Sequence, residues 1–429
     1  MVPRNLLKTL VFEAHDDLPP FSLKLGNDTA AVCNSSTPGT AGFIHSDDGN
    51  DSEMFFWLFE SNNDPATDPV ILWMSGGPGA SSTTYGGLVE LGPCRIAPEG
   101  GYTTENPFGW NANASVLFVD QPVSVGFSRG RAIPKGLAEA SGLMHQFLRQ
   151  FFVAFPQLST QDFYIVGESY GGSWVPALGA AIAKSQAEAE KPDYFVNKQS
   201  HLAHNQANGL ARTSNINLKG VMIGNGLIRR SVQNSGGFET ACSGPDSLFN
   251  SSTCLEWAPR AMRCEQHLNV CETEGWTSEM CRKTEKLCRP ISSALGVDDD
   301  VPFRGVSYEV LNLWEQIGDL WKSSDNYVNY LLEANYRVLI YVGDKDWFCN
   351  AASMRRLVNE GLVWHGHPFF RFRELIPWYN GPKPAGRWKS YEPLTYAEVV
   401  DAGHLAPFDK PEETLILINS WIQGSLPAR

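Results

Sequence analysis

A serine hydroxyl is a weak nucleophile until a neighbouring base takes its proton, so a serine that does chemistry is recognised by its surroundings. Ser169 has such surroundings. It is the centre of Gly167-Glu168-Ser169-Tyr170-Gly171, a G-x-S-x-G sequence. The apolar run Asp162 to Val166 precedes it, and a helical stretch opens at Gly171. Strand, tight turn and helix in that order expose the hydroxyl. Small neighbours let the turn close, and the helix N-terminus adds positive partial charge where an oxyanion develops. A chance glycine-rich turn would not bring the flanking strand and helix with it.

Such a serine needs a base and a carboxylate that orients the base, in the chain order Ser, Asp or Glu, His. His404, in Asp401-Ala402-Gly403-His404-Leu405-Ala406-Pro407, follows the run Tyr396 to Val400 and so sits in a loop after a strand. His201, His204 and His267 fall in a polar loop or a cysteine-rich stretch. His365 and His367 form an H-x-H, but no carboxylate or cysteine accompanies it as a metal set would require. Asp344 and Asp346 both follow a strand in Val342-Gly343-Asp344-Lys345-Asp346, and residue chemistry leaves both open as the acid. For the oxyanion, the N–H groups of Tyr170 and of Gly77 in Ser75-Gly76-Gly77-Pro78-Gly79 are the expected donors. An ordinary strand-ending turn would read the same way at Gly77.

Six short apolar runs must position these residues: Met54 to Glu60, Pro69 to Met74, Ser115 to Val119, Asp162 to Val166, Leu218 to Ile223 and Arg337 to Val342. Closed by Gly or Asp, they read as buried parallel strands. Helical stretches at Gly136 to Phe155 and Gly171 to Lys184 alternate with them, and Pro411 to Gln423 is a late helix with Pro and two Glu at its start. The pattern predicts an α/β class, an α/β-hydrolase core. Met1 to Ser52 reads as an extended, turn-rich lead-in, and Glu188 to Asn215 as a flexible surface loop. Residues 228–325 lose the strand rhythm. The organisation expected is a core in two parts, 1–227 and 326–429, with 228–325 as a cysteine-rich insertion or cap.

The chain has 429 residues, 42% hydrophobic and 19% charged, which allows a large core and excludes global disorder. A net charge of −13 excludes a general nucleic-acid binder. No run approaches the ~18 apolar residues of a membrane span. Six of the nine cysteines crowd into residues 242–288 without the close pairs of a zinc site, so disulfides and an oxidising compartment are expected. Asn27, Asn34, Asn50, Asn113 and Asn250 each begin an Asn-X-Ser/Thr glycosylation triplet, in keeping with passage through the secretory pathway. The N-terminus lacks a good signal peptide: Lys8 and Thr9 break its apolar patch.

An ordered set of motifs resembles the serine carboxypeptidase family, of the fungal secreted or vacuolar type. Trp73 to Ser82 (WMSGGPGASS) is similar to the family's W-x-N-G-G-P-G-C-S-S. Glu90 to Pro93 (ELGP), Asn106 to Asn113 (NPFGWNAN), Val119 to Ser128 (VDQPVSVGFS) and Gly167 to Gly172 (GESYGG) follow in order. Gly343 to Asn350 (GDKDWFCN) and Gly403 to Pro411 (GHLAPFDKP) complete the set. The resemblance implies an α/β-hydrolase core under a largely helical insert, peptide substrates with a free C-terminus, acidic working pH, and neither metal nor cofactor. It implies Asp346 as the acid and Cys349 as a free thiol near the site. Expected pairs by similarity are Cys242–Cys254, Cys264–Cys288 and Cys271–Cys281, with Cys33–Cys94 remaining. It also places recognition of the substrate carboxylate on Trp73, Ser75, Gly76, Glu90 and Glu168. Two neighbouring carboxyls resist ionising together, so one of Glu90 and Glu168 is expected to hold a proton and donate it to that carboxylate.

Three positions depart from the family pattern. Ser75 stands where it has Asn, Ala80 where it has Cys, and Leu405 where Met is frequent. Ser75 is shared with the family's acyltransferases, which pass an acyl group to an acceptor other than water. Acyl transfer is therefore the alternative function, and a catalytically silent binding or protective protein a more distant one. Monomer and homodimer are both compatible with the sequence.

Overall fold

The computed structural model describes residues 8–14, 18–26, 29, 32–37, 39–189, 216–242, 249–274, 281 and 306–425. Its strands are β1 (Lys8–Phe12), β2 (Phe21–Leu25), β3 (Gly39–Ser46), β4 (Ser52–Phe59), β5 (Val70–Met74), β6 (Cys94–Ile96) and β7 (Thr103–Glu105). They continue as β8 (Ser115–Val119), β9 (Phe163–Glu168), β10 (Leu218–Gly224), β11 (Arg337–Gly343), β12 (Ile376–Asn380), β13 (Lys383–Tyr391) and β14 (Leu394–Val399). Twelve form one sheet in the order β1-β2-β3-β4-β8-β5-β9-β10-β11-β14-β13-β12, and β6 pairs with β7 apart from it. From β8 to β14 every pairing is parallel. Helices on both faces of a mixed sheet with a parallel centre make this the expected α/β-hydrolase fold.

Continuous apolar runs build that parallel centre because both faces are covered. On β5, Val70, Leu72 and Met74 face one core and Ile71 and Trp73 the other. The first core is closed by helix Leu137–Ala154, through Met144, Phe147 and Phe151, and by helix Gly171–Ala189, through Trp174, Leu178 and Ile182. Leu417 and Trp421 of helix Pro411–Ile422 close the second. That helix starts as expected, with Pro411 in its first turn beside Glu412 and Glu413.

Two expectations are corrected. The run Met54 to Glu60 is β4, antiparallel to β3 and to β8. Only five residues, 47–51, join β3 to β4, and so short a link permits nothing but an antiparallel hairpin. The lead-in also holds three strands. β1 is exposed almost throughout, and β2 and β3 mix buried with half-exposed positions, so none produces the buried apolar runs that mark the centre. At the other edge, β12 and β13 extend the sheet antiparallel for the same reason.

Within residues 228–325 the described elements are helical: Arg230–Cys242, Ser251–Glu274, Tyr308–Gln316 and a short turn at Asp319–Trp321. Cys242–Cys254 links the first two helices, and Cys271–Cys281 anchors the end of the second. Cys33–Cys94 ties the lead-in to β6. Cys288, the expected partner of Cys264, lies outside the described residues, as does 190–215 of the expected surface loop, whose start instead extends helix Gly171–Ala189.

Candidate active site

β9 ends at Glu168, a helix begins at Gly171, and Ser169 makes the turn with φ of +61°. Side chains rarely adopt that left-handed conformation, so the surroundings must hold it. Ser169 N–H donates to the carbonyls of Gly224 and Asn225, each at 3.2 Å, and Ser169 C=O accepts from Leu227 N–H at 2.7 Å. The packing explains the glycines. A Cβ on Gly76 would lie 2.6 Å from both Ser169 Cβ and Tyr170 N, and one on Gly172 would lie 2.5 Å from Leu227 N.

β11 delivers Asp346 and β14 delivers His404. His404 Nδ1 lies 2.8 Å from Asp346 Oδ2. The other carboxylate left open by sequence chemistry, Asp344, faces elsewhere and accepts from Asp401 N–H at 2.8 Å. Asp346 is buried, and burial alone would raise its pKa. The hydrogen bond and charge of His404 and the amide of Asn225 outweigh that and hold the carboxyl below the usual Asp range. For His404, burial works against the charged ring, but the hydrogen bond to Asp346 and the charges of Asp346 and Glu90 carry its pKa above the ordinary value.

Asn225 escaped the sequence reading. Its side chain donates to Asp346 Oδ2 at 2.7 Å and to Gly403 C=O at 3.1 Å, joining the acid to the loop that carries His404. It is fully buried, with φ of +44°. The available signal was the pair Gly224-Asn225 closing a core strand, since Asn tolerates that backbone better than other side chains.

Ser169, Tyr170, Gly77 and His404 open onto one cavity of about 460 Å³, shared with Cys349 and Phe348 among others. The N–H groups of Gly77 and Tyr170 have no acceptor among the described residues. Two such donors beside a serine hydroxyl can receive an oxyanion.

Trp73, Ser75, Gly76, Glu90 and Glu168 gather behind the turn, and all are buried. Trp73 Nε1–H donates to Ser75 Oγ at 3.0 Å, which leaves the Ser75 hydroxyl proton as the outward donor. Glu90 and Glu168 hydrogen-bond to each other. Burial is the main cause that pushes Glu90 up to about 7, and burial plus the Glu90 charge pushes Glu168 up further. Each keeps one carboxyl oxygen, Oε2, with no partner among the described residues. A pair of this kind holds a shared proton. Arg95 donates to Glu90 C=O and, at 2.9 Å, to Pro407 C=O, so it straps the Glu90 segment to the His404 loop.

Cys349 is buried and unpaired, and burial raises its pKa well above the ordinary thiol value. Among the described residues, Asp346, Cys349 and His404 are the group of three metal-capable side chains whose ligand atoms gather within 4.8 Å. The H-x-H pair divides: His365 faces Glu333 and His367 faces the Asn359 carbonyl, each at 2.8 Å. His267 lies in helix Ser251–Glu274, and His201 and His204 lie outside the described residues. Asn34, Asn113 and Asn250 are exposed, Asn27 lies outside the described residues, and the Asn50 amide is engaged with Ala132 and Ser52. Among the described residues no helix is long and apolar enough to cross a membrane.

A nucleophile turn between a central parallel strand and a helix, under a helical insert, is the architecture of an α/β-hydrolase. Comparison with known proteins narrows the class. The model of the serine carboxypeptidase family matches residues 33–289 and 287–424, and this chain belongs to that family of hydrolases. It is 35% identical over 421 residues to carboxypeptidase Y of Schizosaccharomyces pombe, a match taking in 88% of this chain and 40% of that protein. It is 31% identical to the vacuolar serine-type carboxypeptidase ATG42 of Saccharomyces cerevisiae, covering 99% of this chain and 89% of the relative. The fold matches the crystal structure of a prohormone-processing carboxypeptidase from Saccharomyces cerevisiae, with TM-score 0.68, 22% identity, and coverage of 99% and 95%.

Proposed function

We propose that this protein removes the C-terminal residue of peptides through an acyl-enzyme on Ser169. The observation that carries the reading is the 2.8 Å hydrogen bond from His404 to buried Asp346, beside a cavity onto which Ser169, Gly77 and Tyr170 open. Ser169 Oγ attacks the last peptide carbonyl while His404 takes its proton. His404 then gives that proton to the leaving amine, and Asp346 keeps the ring in the required tautomer and orientation. Gly77 and Tyr170 N–H groups receive the oxyanion. A water activated by His404 then releases the acyl group.

The α-carboxylate of the leaving residue is received by Ser75, Gly76 and the proton shared by Glu90 and Glu168. Recognition therefore fails as pH rises and that proton leaves. His404 must be neutral to act as base, so turnover fails as pH falls through its raised pKa. The two limits produce a bell whose acid limb reports His404 and whose alkaline limb reports the glutamate pair. Acyl transfer, the alternative raised by Ser75, is not favoured, since the named relatives are carboxypeptidases. The three disulfides among the described residues support folding in an oxidising compartment, secreted or vacuolar.

The test is cleavage of an N-blocked dipeptide and of its C-terminal amide from about pH 5 to about pH 8, a span that covers both limits. Ser169→Ala is the control. Release of the terminal amino acid from the free acid in preference to the amide, lost in Ser169→Ala, is expected. No release from a protein whose Ser169 still reacts with a fluorophosphonate would overturn the reading.

A further inference from the structure

On the proposed reading, the last residue of a peptide is held at two places. Its carboxylate goes to Ser75, Gly76 and the pair Glu90 and Glu168, and its peptide nitrogen takes a proton from His404. The two places lie on separate parts of the chain. Glu90 ends the short helical turn Tyr85–Glu90, and His404 stands between β14 and helix Pro411–Ile422. They act electrostatically on each other across the site. The His404 segment is fixed at Gly403, whose C=O accepts from Asn225 at 3.1 Å and whose N–H donates to Asp409 Oδ2 at 2.6 Å. Farther along, Pro407 C=O accepts from Arg95 at 2.9 Å. Asn225 thus ties that segment to the acid, and Arg95 ties it to the segment that ends at Glu90.

One guanidinium makes both links. Glu90 C=O accepts from Arg95 Nε at 3.0 Å and also from Nη2, the nitrogen that donates to Pro407 C=O. The last carbonyls of a helical turn have no partner within it, so Glu90 C=O is open to a donor from outside. Guanidinium donors lie in one rigid plane, so two carbonyls bound to it are held at a set separation. Arg95 itself has little freedom. It is half-buried, and its guanidinium lies over the Phe408 ring, 5.7 Å from the centroid. Its backbone pairs with Thr104 between β6 and β7, and Cys94 before it is bonded to Cys33.

We infer that Arg95 is a positioning residue of the proposed reaction: it fixes the spacing between the groups that receive the terminal carboxylate and the base that acts on the scissile bond. The inference rests on the exopeptidase reading of the site. A peptide anchored by its terminus reaches Ser169 and His404 in register only while that spacing holds, and a misplacement of ~1 Å costs about 100-fold in rate. A C-terminal amide is not gripped by the glutamate side as a carboxylate is, so its turnover depends on the spacing far less. Arg95 acts through two backbone carbonyls and needs no contact with the peptide.

Arg95→Gln and Arg95→Lys test it on a blocked dipeptide and its C-terminal amide. Glutamine removes both the charge and the fork of donors, whereas lysine keeps the charge as a point that cannot hold two carbonyls in one plane. Both variants should lose kcat on the free acid by ~10- to 100-fold. The amide should lose far less, so the preference for the free acid shrinks. Reaction of Ser169 with a fluorophosphonate verifies that each variant is folded. A second measurement needs no turnover: the affinity of Ser169→Ala for the free-acid dipeptide, with and without the Arg95 change. It should fall by less than about threefold, since the groups that grip the carboxylate are still present. Equal losses on acid and amide would make Arg95 a support of the base alone. Native kinetics in Arg95→Lys beside a loss in Arg95→Gln would make its charge responsible, and native kinetics in both would remove any role. A drop in affinity as large as the drop in rate would place Arg95 in recognition itself. Each of these results would overturn the inference. A native protein that does not prefer the free acid to the amide defeats the exopeptidase reading, and the inference with it.

Discussion

Replacing Asn225 tests whether the acid and base are held by the network seen around them. The amide makes one hydrogen bond to an ionised carboxylate, at 2.7 Å, and one to the carbonyl of Gly403, next to His404. A hydrogen bond to a charged group contributes ~1.5–3 kcal/mol, about 10- to 100-fold in a rate that depends on it. The backbone at 225, with φ of +44°, must be separated from the amide. Asn225→Gly keeps that backbone conformation accessible and deletes the amide. Asn225→Ala deletes the amide and adds a left-handed Cβ, at ~1–2 kcal/mol of stability. Both variants should lose kcat by ~10- to 100-fold with little change in KM, and Asn225→Ala should melt below Asn225→Gly.

The pH dependence has a definite sign. Asp346 is held below its ordinary value, so its contribution to stability is full above the unfolded Asp pKa of ~3.9 and is lost as pH falls through the folded value. Without Asn225 the folded value rises, the contribution shrinks, and acid unfolding starts at a higher pH. Steady-state kinetics on a blocked dipeptide, with thermal melts from acid to neutral pH, read both effects. An Asn225→Gly protein with kcat within about twofold of the native value and an unchanged acid limb would refute a positioning role for the amide.

The remaining predictions concern the carboxylate side and the turn. For free-acid peptides KM should rise as pH climbs through about 7, where Glu90 loses its proton, while the amide analogues stay flat. In Glu168→Gln the rise should flatten, because an amide donor does not titrate; a flat native profile would contradict the shared proton. Ser75→Asn should raise the preference for free acid over amide several-fold, by ~1 kcal/mol of added hydrogen bonding, and Ser75→Ala should lower it by leaving Trp73 Nε1–H without its acceptor. Gly76→Ala places a Cβ 2.6 Å from Ser169 Cβ and Tyr170 N, so kcat should drop ~100-fold, with Ser169 labelling slowed in parallel.

The centre of the fold was legible because strands covered on both faces must be apolar throughout, and the runs at 115–119 and 337–342 announce themselves. The edges were not. In β3 and β13 half of each strand faces water, so neither contains an uninterrupted apolar run. The direction of β4 was hidden as well, since an apolar run carries no sign of which way its neighbour points. At the site, chain order and loop position pointed to Ser169 and His404. Asp344 and Asp346 are chemically alike two residues apart, and only the three-dimensional path of the loop after β11 sends one toward His404 and the other toward Asp401 N–H. Asn225 escaped notice because it belongs to no motif with a spacing rule. Its role comes from what the fold brings beside it.

The Arg95 strap reaches across 312 positions of sequence to Pro407. The nucleophile turn, the glycine-rich loop and the paired glutamates all come from the first 170 residues, whereas the acid and base arrive on the last hundred. A ribosome therefore releases the cutting group long before the base that arms it. The partly made chain carries a serine without its base, and the Arg95 strap to Pro407 forms only when the segment bearing His404 docks.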